Sequence, residues 1–434
     1  MNAAPNIVLF STILGAIFMA LDIYVAIHWT RHIRAIGRHR MWSYAVWFAT
    51  VVMTALYWFI VWRRHFFRMD GLDVALFAIV CFWFLPKLVI APVLVIRDVL
   101  RLLAKGYQYI RRRVRRTNVQ AAAIERVPDS EIPHTPSDDV QNGRRNFLAK
   151  AGWATAAVPY VLVGDGLWRT LYDFRVHRVE VVLPNLPRAL DGFRILQISD
   201  VHAGSFPDHK PFQEARRMML AEKPDTIVIT GDFVNARPHE LQVIMSDLQS
   251  LSATEGVYAS LGNHDHYNTP AEHEALKKAL RGAGIDLLVN EHRRIGVGAA
   301  SLVIAGTDNT GFQQKFGRLD RALRGTTVDD AVVLLAHDPT YWEKAILDTH
   351  VGLTLSGHTH GGQFGVSILG YEWSPAQYVY RQWAGLYQKG EKSIYVNRGL
   401  GTVGPPLRIG VPPEITVLTL RAPSRDDSIV YSAS

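Results

Sequence analysis

Residues 194–202 read Arg-Ile-Leu-Gln-Ile-Ser-Asp-Val-His. An apolar run of strand length, Ile195 to Ser199, ends in Asp200-Val201-His202. Side chains two apart on an extended chain lie on the same side. Asp200 and His202 therefore point into common space just where a strand stops. A carboxylate and an imidazole placed together in this way make a metal pair of hard-to-borderline character. Asp-x-His is also how many strands end in a polar turn, so the reading depends on what recurs downstream.

Four more polar clusters follow, each closing a strand-like run. Gly231-Asp232 follows Thr226–Thr230, and Gly262-Asn263-His264-Asp265 follows Val257–Leu261. His337-Asp338 follows Val332–Ala336, and Gly357-His358-Thr359-His360-Gly361-Gly362 follows Leu353–Ser356. Glycine at such a junction lets the backbone turn tightly and approach a ligand. Strand ends of an α/β sheet converge on one edge, where sites are built. One aspartate there is a helix cap and one histidine a surface turn; five clusters in this order are a site.

Further strand-like runs at Leu302–Ala305, Ile394–Asn397 and Ile415–Leu420 extend the pattern. Helical stretches at Phe212–Glu222, Glu240–Leu251, Pro270–Arg281 and Pro339–Leu347 alternate with the strands. That alternation predicts an α/β domain with layered sheets over residues 170–425.

The region before it is of a different kind. Of 434 residues, 48% are hydrophobic and 20% charged, but the first 116 are apolar blocks separated by arginines. Ile7–Ile27, Tyr44–Trp62 and Val74–Ile96 are each long enough to cross a bilayer, which takes about 20 apolar residues. Residues 1–116 are thus expected to form a transmembrane region of three helices. Asp22 and Lys87 interrupt the apolar runs; they either pair or reach past the span ends toward the interface, and the second is preferred. The net charge of +8 gathers here, notably in Arg111, Arg112, Arg113, Arg115 and Arg116. Beside apolar spans such a cluster reads as a topology signal facing anionic lipid, and no nucleic-acid partner is expected. Arginine counts place the loops after the first and third spans in the cytoplasm and the N-terminus outside. The single cysteine, Cys81, excludes an intrachain disulfide.

Thr117–Gly143 is polar and aperiodic and reads as a flexible linker. Arg144-Arg145-Asn146-Phe147-Leu148, followed by small and apolar residues to Val163, resembles a twin-arginine export signal. Residues 144–168 are then an uncleaved anchor, a fourth helix that puts the following domain on the extracytoplasmic side of the cell membrane.

At the five clusters the chain closely resembles the calcineurin-like metallophosphoesterases, over about residues 175–420. It looks closest to a membrane-linked branch carrying Gly-His-Thr-His-Gly-Gly-Gln, here ending at Gln363. The resemblance implies a four-layer αββα sandwich, here preceded by an all-α transmembrane region of three to four helices. It implies two divalent metals, with manganese, iron and zinc all compatible with the donors. Asp200, His202, Asp232 and His360 would hold one, and Asp232, Asn263, His337 and His358 the other, with Asp232 as the bridge. The metals would clamp a phosphate ester and make a water acidic enough to attack it. His264, outside the ligand set, would serve the leaving oxygen, and Asp265 would orient its ring. Arg398 and Arg408 are open as substrate contacts or structural ion pairs; His209, His239, His266, His273, His292 and His350 read as surface or packing residues. The expected substrate is a phosphomonoester or phosphodiester, and the membrane tie suggests an envelope or lipid-linked one. Two rivals are a pyrophosphatase acting on UDP-2,3-diacylglucosamine, which needs a cytoplasmic site, and an inactive membrane sensor or scaffold.

Overall fold

In hydrocarbon every backbone N–H needs an internal acceptor, so apolar spans fold as helices. The computed structural model describes residues 7–66, 71–121, 155–296, 300–311, 314–368 and 371–423. The apolar blocks form α1 (Ile7–Ala35), α2 (Met41–Phe66), α3 (Gly71–Phe84) and α4 (Lys87–Ala121). At about 1.5 Å per residue, α1 and α2 each exceed the roughly 30 Å of a bilayer's hydrocarbon. Three stretches, Ser11–Ala35, Met41–Arg63 and Leu72–Arg113, are long and apolar enough to cross a membrane. Apolar side chains such as Ile13, Phe48, Val51 and Val93 face outward from them, as lipid contact requires.

Three features differ from the sequence reading. The third apolar block is two helices, not one, because Pro86 has no N–H to continue the ladder. Asp22 and Lys87 do not reach for the interface. Lys87 Nζ lies 2.7 Å from Asp22 Oδ1, both side chains are buried, and Trp83 Nε1 donates to Asp22 Oδ2 at 2.9 Å. The ammonium also sits 3.5 Å from the centre of the Trp83 ring. A lone charge at that depth would be costly, and pairing removes most of the penalty. Lastly, α4 continues to Ala121, past the expected start of the linker. The remainder of that linker and the Arg144-Arg145 motif lie outside the described residues. Within the expected anchor, α5 is described over residues 155–168.

The chain divides into two compact units, chiefly 5–164 and 165 onward. The second unit contains two six-stranded sheets. The first sheet has the order β1 (Arg175–Val182), β14 (Glu414–Arg421), β2 (Arg194–Ile198), β3 (Thr226–Thr230), β4 (Val257–Ser260), β5 (Asp286–Leu287). The second has β12 (Gly385–Lys389), β13 (Lys392–Val396), β9 (Leu353–Ser356), β8 (Val332–Leu335), β7 (Leu302–Gly306), β6 (Glu291–Ile295). Strands β2 to β5 run parallel, as do β13, β9, β8 and β7. A small antiparallel hairpin, β10 (Val366–Ile368) with β11 (Tyr371–Trp373), follows β9.

Period-2 alternation sorts these strands into layers. Ile195, Val228 and Leu418 of the first sheet pack with Ile304, Val333 and Leu355 of the second. The alternate residues Leu196, Ile198, Ile227 and Ile229 face α6 (Lys210–Ala221), α7 (Met245–Gln249) and α8 (Pro270–Gly282) through Phe212, Leu248 and Leu276. On the far side Val303, Val332 and Ile394 pack on Trp342 of α10 (Thr340–Lys344). The result is the four-layer αββα sandwich. Short α9 (Leu319–Ala322) completes the described helices. The predicted helix Glu240–Leu251 is a 3-10 turn, Pro238–Val243, followed by α7. The sequence reading missed β6, which reads Glu-His-Arg-Arg-Ile: an edge strand half in solvent lacks the apolar run that marks the inner ones.

Candidate metal centre

Nine residues were singled out from the sequence, and the fold brings all nine to one edge of the sandwich. Asp200 and His202 leave β2, Asp232 leaves β3, and Asn263, His264 and Asp265 leave β4 in the first sheet. His337 leaves β8, and His358 and His360 leave β9 in the second. Asp200, His202, Asp232, His358 and His360 have φ of 50°, 42°, 56°, 72° and 53°. They make up five of the nine non-glycine residues with positive φ among those described. Each such conformation costs on the order of 1–3 kcal/mol, so the surroundings must enforce it.

The backbone supplies that constraint. The Asp200 and His202 amides donate to the Gly231 and Asp232 carbonyls at 3.0 Å each, and the Gly401 amide donates to the Asp200 carbonyl at 2.8 Å. The His358 amide donates to the Asp200 carboxylate at 2.9 Å, tying one sheet's loop to the other's. Two glycines permit the close approach. A Cβ on Gly262 would stand 2.2 Å from Asp232 Oδ1, and one on Gly357 2.2 Å from Asp200 Oδ2. No larger residue fits at either place.

The side chains form two adjoining clusters. In the first, His360 Nε2 lies 3.1 Å from Asp200 Oδ1 and 3.2 Å from His202 Nε2, which is 3.6 Å from Asp232 Oδ2. In the second, His337 Nε2 lies 3.1 Å from Asp232 Oδ2 and 3.2 Å from His358 Nδ1. Asp232 Oδ2 thus faces both clusters. Its other oxygen accepts the His264 amide at 2.8 Å.

The chemistry of these donors fits divalent cations. His337 Nδ1 donates to the Thr230 carbonyl at 2.7 Å, which leaves Nε2 as the nitrogen that faces Asp232 and could serve a cation. His358 Nδ1 and Asp232 Oδ2 bring further lone pairs to the same spot. Asn263 donates through Nδ2 to the Tyr267 hydroxyl at 2.8 Å, while its buried Oδ1 has no hydrogen-bond partner among the described residues. A buried, unsatisfied amide oxygen is costly unless something positive meets it. Groups of donor atoms within 4.8 Å of one another are Asp200, His202 and His360; Asp232, His337 and His358; and His202, Asp232 and His264.

The protein's own charges show the same demand. Burial opposes a charge on His337, yet the Asp232 carboxylate beside it pushes that imidazole up to about 10. Burial, then the His337 charge, pushes His358 down to about 4. Burial also holds His202 well below its ordinary value. For Asp200, burial works against the anion, but the His360 ring beside it holds the carboxyl below the usual range. Two buried carboxylates face His202 and His358, whose charged forms burial disfavours, and a cation meets their demand more fully than the His337 imidazolium.

One expected role changes, and the two open arginines find partners. Asp265 does not orient the His264 ring. It is fully buried and accepts the amides of Asp232 (2.9 Å), Phe233 (2.9 Å) and Gly262 (3.0 Å). It therefore clamps the backbone that presents Asp232. Burial and the Asp232 charge push it up to about 7, against the pull of the Gly262 N–H. His264 is oriented instead by the Asn235 carbonyl, which accepts from Nδ1 at 2.7 Å. That partner is a main-chain atom and left no sequence signal. Arg398 and Arg408 are structural. Arg398 donates to Glu414 Oε2 at 2.6 Å and to Glu372 Oε2 at 2.5 Å. Arg408 is fully buried and donates to the Arg398, Gly399 and Gly401 carbonyls at 3.0, 3.0 and 2.6 Å.

The sequence reading also missed Tyr267 and Tyr380. The Tyr267 hydroxyl holds Asn263, and the Tyr380 hydroxyl lies 3.2 Å from His358 Nε2. Neither belongs to a motif. His266 bonds Asp308 at 2.7 Å and stacks between His273 and Phe316, a packing role beside the site.

Comparison with known proteins bears on the family. Residues 193–362 match the family described as calcineurin-like phosphoesterase. Residues 6–170 match one described as probable calcineurin-like phosphoesterase, transmembrane domain. A Bacillus subtilis protein named uncharacterized metallophosphoesterase YkuE is 33% identical over 297 residues, covering 64% of this chain and 98% of that protein. A Danio rerio protein named transmembrane protein with metallophosphoesterase domain is 31% identical over 274 residues. That match spans 60% of each chain, so this chain covers well under the full length of that relative. Phosphodiesterase YaeI of Escherichia coli is 30% identical over 229 residues, covering 52% of this chain and 82% of that protein.

Proposed function

The chain belongs to the calcineurin-like metallophosphoesterase family, and from that premise we propose that it is a membrane-anchored dinuclear-metal phosphoesterase. It hydrolyses a phosphomonoester or phosphodiester, and its substrate is envelope-derived or lipid-linked. The observation that carries this reading is the convergence of acceptor atoms around Asp232 Oδ2, with imidazole nitrogens 3.6 and 3.1 Å away on its two sides.

Asp200, His202, Asp232 and His360 would hold one cation, and Asp232, Asn263, His337 and His358 the other. Cations so held supply Lewis-acid polarisation of the phosphate and lower the pKa of a water nearby. The protein fixes the donors beforehand. Tyr267 leaves the Asn263 oxygen turned inward, and the Tyr380 hydroxyl meets the outer nitrogen of His358, which holds that ring in place. His264 carries a proton on Nδ1, held by the Asn235 carbonyl, so only Nε2 is available for the substrate. In the imidazolium form Nε2–H donates to the leaving oxygen as its bond to phosphorus breaks. A neutral carbonyl partner keeps the ring in place without stripping that proton.

His264→Ala tests the assignment. Loss of a positioned general acid lowers turnover by roughly 10²–10⁴-fold. Turnover of a p-nitrophenyl phosphodiester should fall, with a larger fall for an alkyl leaving group, which needs the proton more. Metal content should stay near that of the wild type. Turnover unchanged from the wild type with both leaving groups would remove His264 from the reaction.

The arginine pattern supports a phosphoesterase domain on the extracytoplasmic side. A C-terminal reporter fusion active only in the cytoplasm would overturn that orientation.

A further inference from the structure

The metal-site loop runs directly into an apolar arm. After His360 the chain passes Gly361 to Gln363, forms the β10–β11 hairpin, makes a 3-10 turn at Pro375–Tyr378, and returns to the site at Tyr380. Among the described residues from 165 on, ten large hydrophobic side chains are exposed, and five lie between 364 and 379. They are Phe364 (44%), Val366 (43%), Tyr371 (66%), Tyr378 (76%) and Val379 (73%). Scattered single apolar residues are ordinary on a surface, but a clustered patch marks a contact.

The cluster is continuous. Val366 pairs with Trp373 across the hairpin. The Phe364 and Trp373 rings meet edge-on at 6.5 Å, and Trp373 Nε1 donates to the Tyr378 hydroxyl at 3.3 Å. Tyr and Trp with an apolar body and a wet polar tip are the side chains that sit where hydrocarbon meets water. The arm is also coupled to the site. One residue separates the most exposed tyrosine, Tyr378, from Tyr380 at His358.

We propose that this arm binds the hydrocarbon tail of an amphiphilic phosphate ester while the metal centre takes its phosphate. The substrate class is then a membrane phospholipid or a lipid-linked phosphate. This inference rests on the phosphoesterase reading above. Its occupant follows from three observations: interfacial aromatic chemistry, direct continuity with the metal-binding loop, and a chain that carries its own membrane spans.

The test uses the full chain in lipid nanodiscs with p-nitrophenyl ethyl phosphate and p-nitrophenyl octyl phosphate. The KM for the octyl ester should be at least tenfold below that for the ethyl ester, which burial of two methylenes suffices to give. Tyr378→Ser with Val379→Ser should keep ethyl ester turnover and lose most of that preference, beyond whatever the lipid itself contributes by partitioning. A second pair, Val366→Ser with Tyr371→Ser, repeats the comparison on the hairpin. An octyl preference unchanged in both pairs would overturn the inference while leaving the phosphoesterase intact. Failure of the wild type to hydrolyse the ethyl diester, the octyl diester and the monoester p-nitrophenyl phosphate alike would overturn the phosphoesterase reading, and the inference with it.

Discussion

Asp265→Asn is the most informative single change, because it keeps volume and shape and alters one hydrogen-bond position. Asp265 Oδ2 accepts two amides, those of Asp232 and Gly262, and Oδ1 accepts that of Phe233. An asparagine keeps two of the three bonds by placing its oxygen at the Oδ2 position. Its NH2 group then faces the Phe233 amide, donor against donor. The site is fully buried, so no solvent stands in. One buried donor left without an acceptor costs about 1–3 kcal/mol. For a domain of this size each kcal/mol lowers Tm by about 2–4 °C, so the melting temperature in detergent should fall by about 2–12 °C. Asp232 sits on the loosened turn, so metal retained after dialysis against a chelator should fall as well. Asp265→Ala loses all three acceptors and should be more severe on both measures. If Asp265→Asn keeps the wild-type Tm and metal content, the clamp is not what holds Asp232 in its left-handed conformation.

Three further outcomes follow from the same geometry. Asp232→Ala should lose both cations rather than one, since Oδ2 faces both clusters, and metal analysis showing two retained per chain would contradict the bridge. Lys87→Met strands a buried carboxylate and should lower membrane yield and stability; Asp22→Asn with Lys87→Met should restore much of the loss, because breaking such a pair costs more than removing it. Glu272 forms a capping box at α8, where the Thr269 amide, then its hydroxyl and Arg237, hold the carboxyl down to about 2. A depressed folded pKa gives stability that is present above the unfolded value near 4.3 and is lost as pH falls toward 2. The stability gap between wild type and Glu272→Gln, read from melting curves, should therefore shrink over that window.

The sequence by itself determined the local facts. Apolar length made the membrane helices, because a helix satisfies its own backbone in hydrocarbon wherever it is placed. Apolar runs closed by Asp-x-His, Gly-Asp, Gly-Asn-His-Asp, His-Asp and Gly-His-x-His made the strands and named nine residues that gather at the candidate site. Glycine at 262 and 357 was legible because no other residue tolerates that crowding. What the tertiary structure decided was partnership. Asp22 and Lys87 are 65 positions apart, and whether they pair or part depends on how α1 packs with the start of α4. The Asp265 and His264 side chains are neighbours in sequence, yet each turns to a different backbone, one to the β3 turn and the other to Asn235. Arg398 and Arg408 read alike in a line of letters and differ in space, one between carboxylates and the other among carbonyls. Main-chain acceptors carry no residue identity, so a contact to one leaves no mark on the sequence and appears only when the chain is folded.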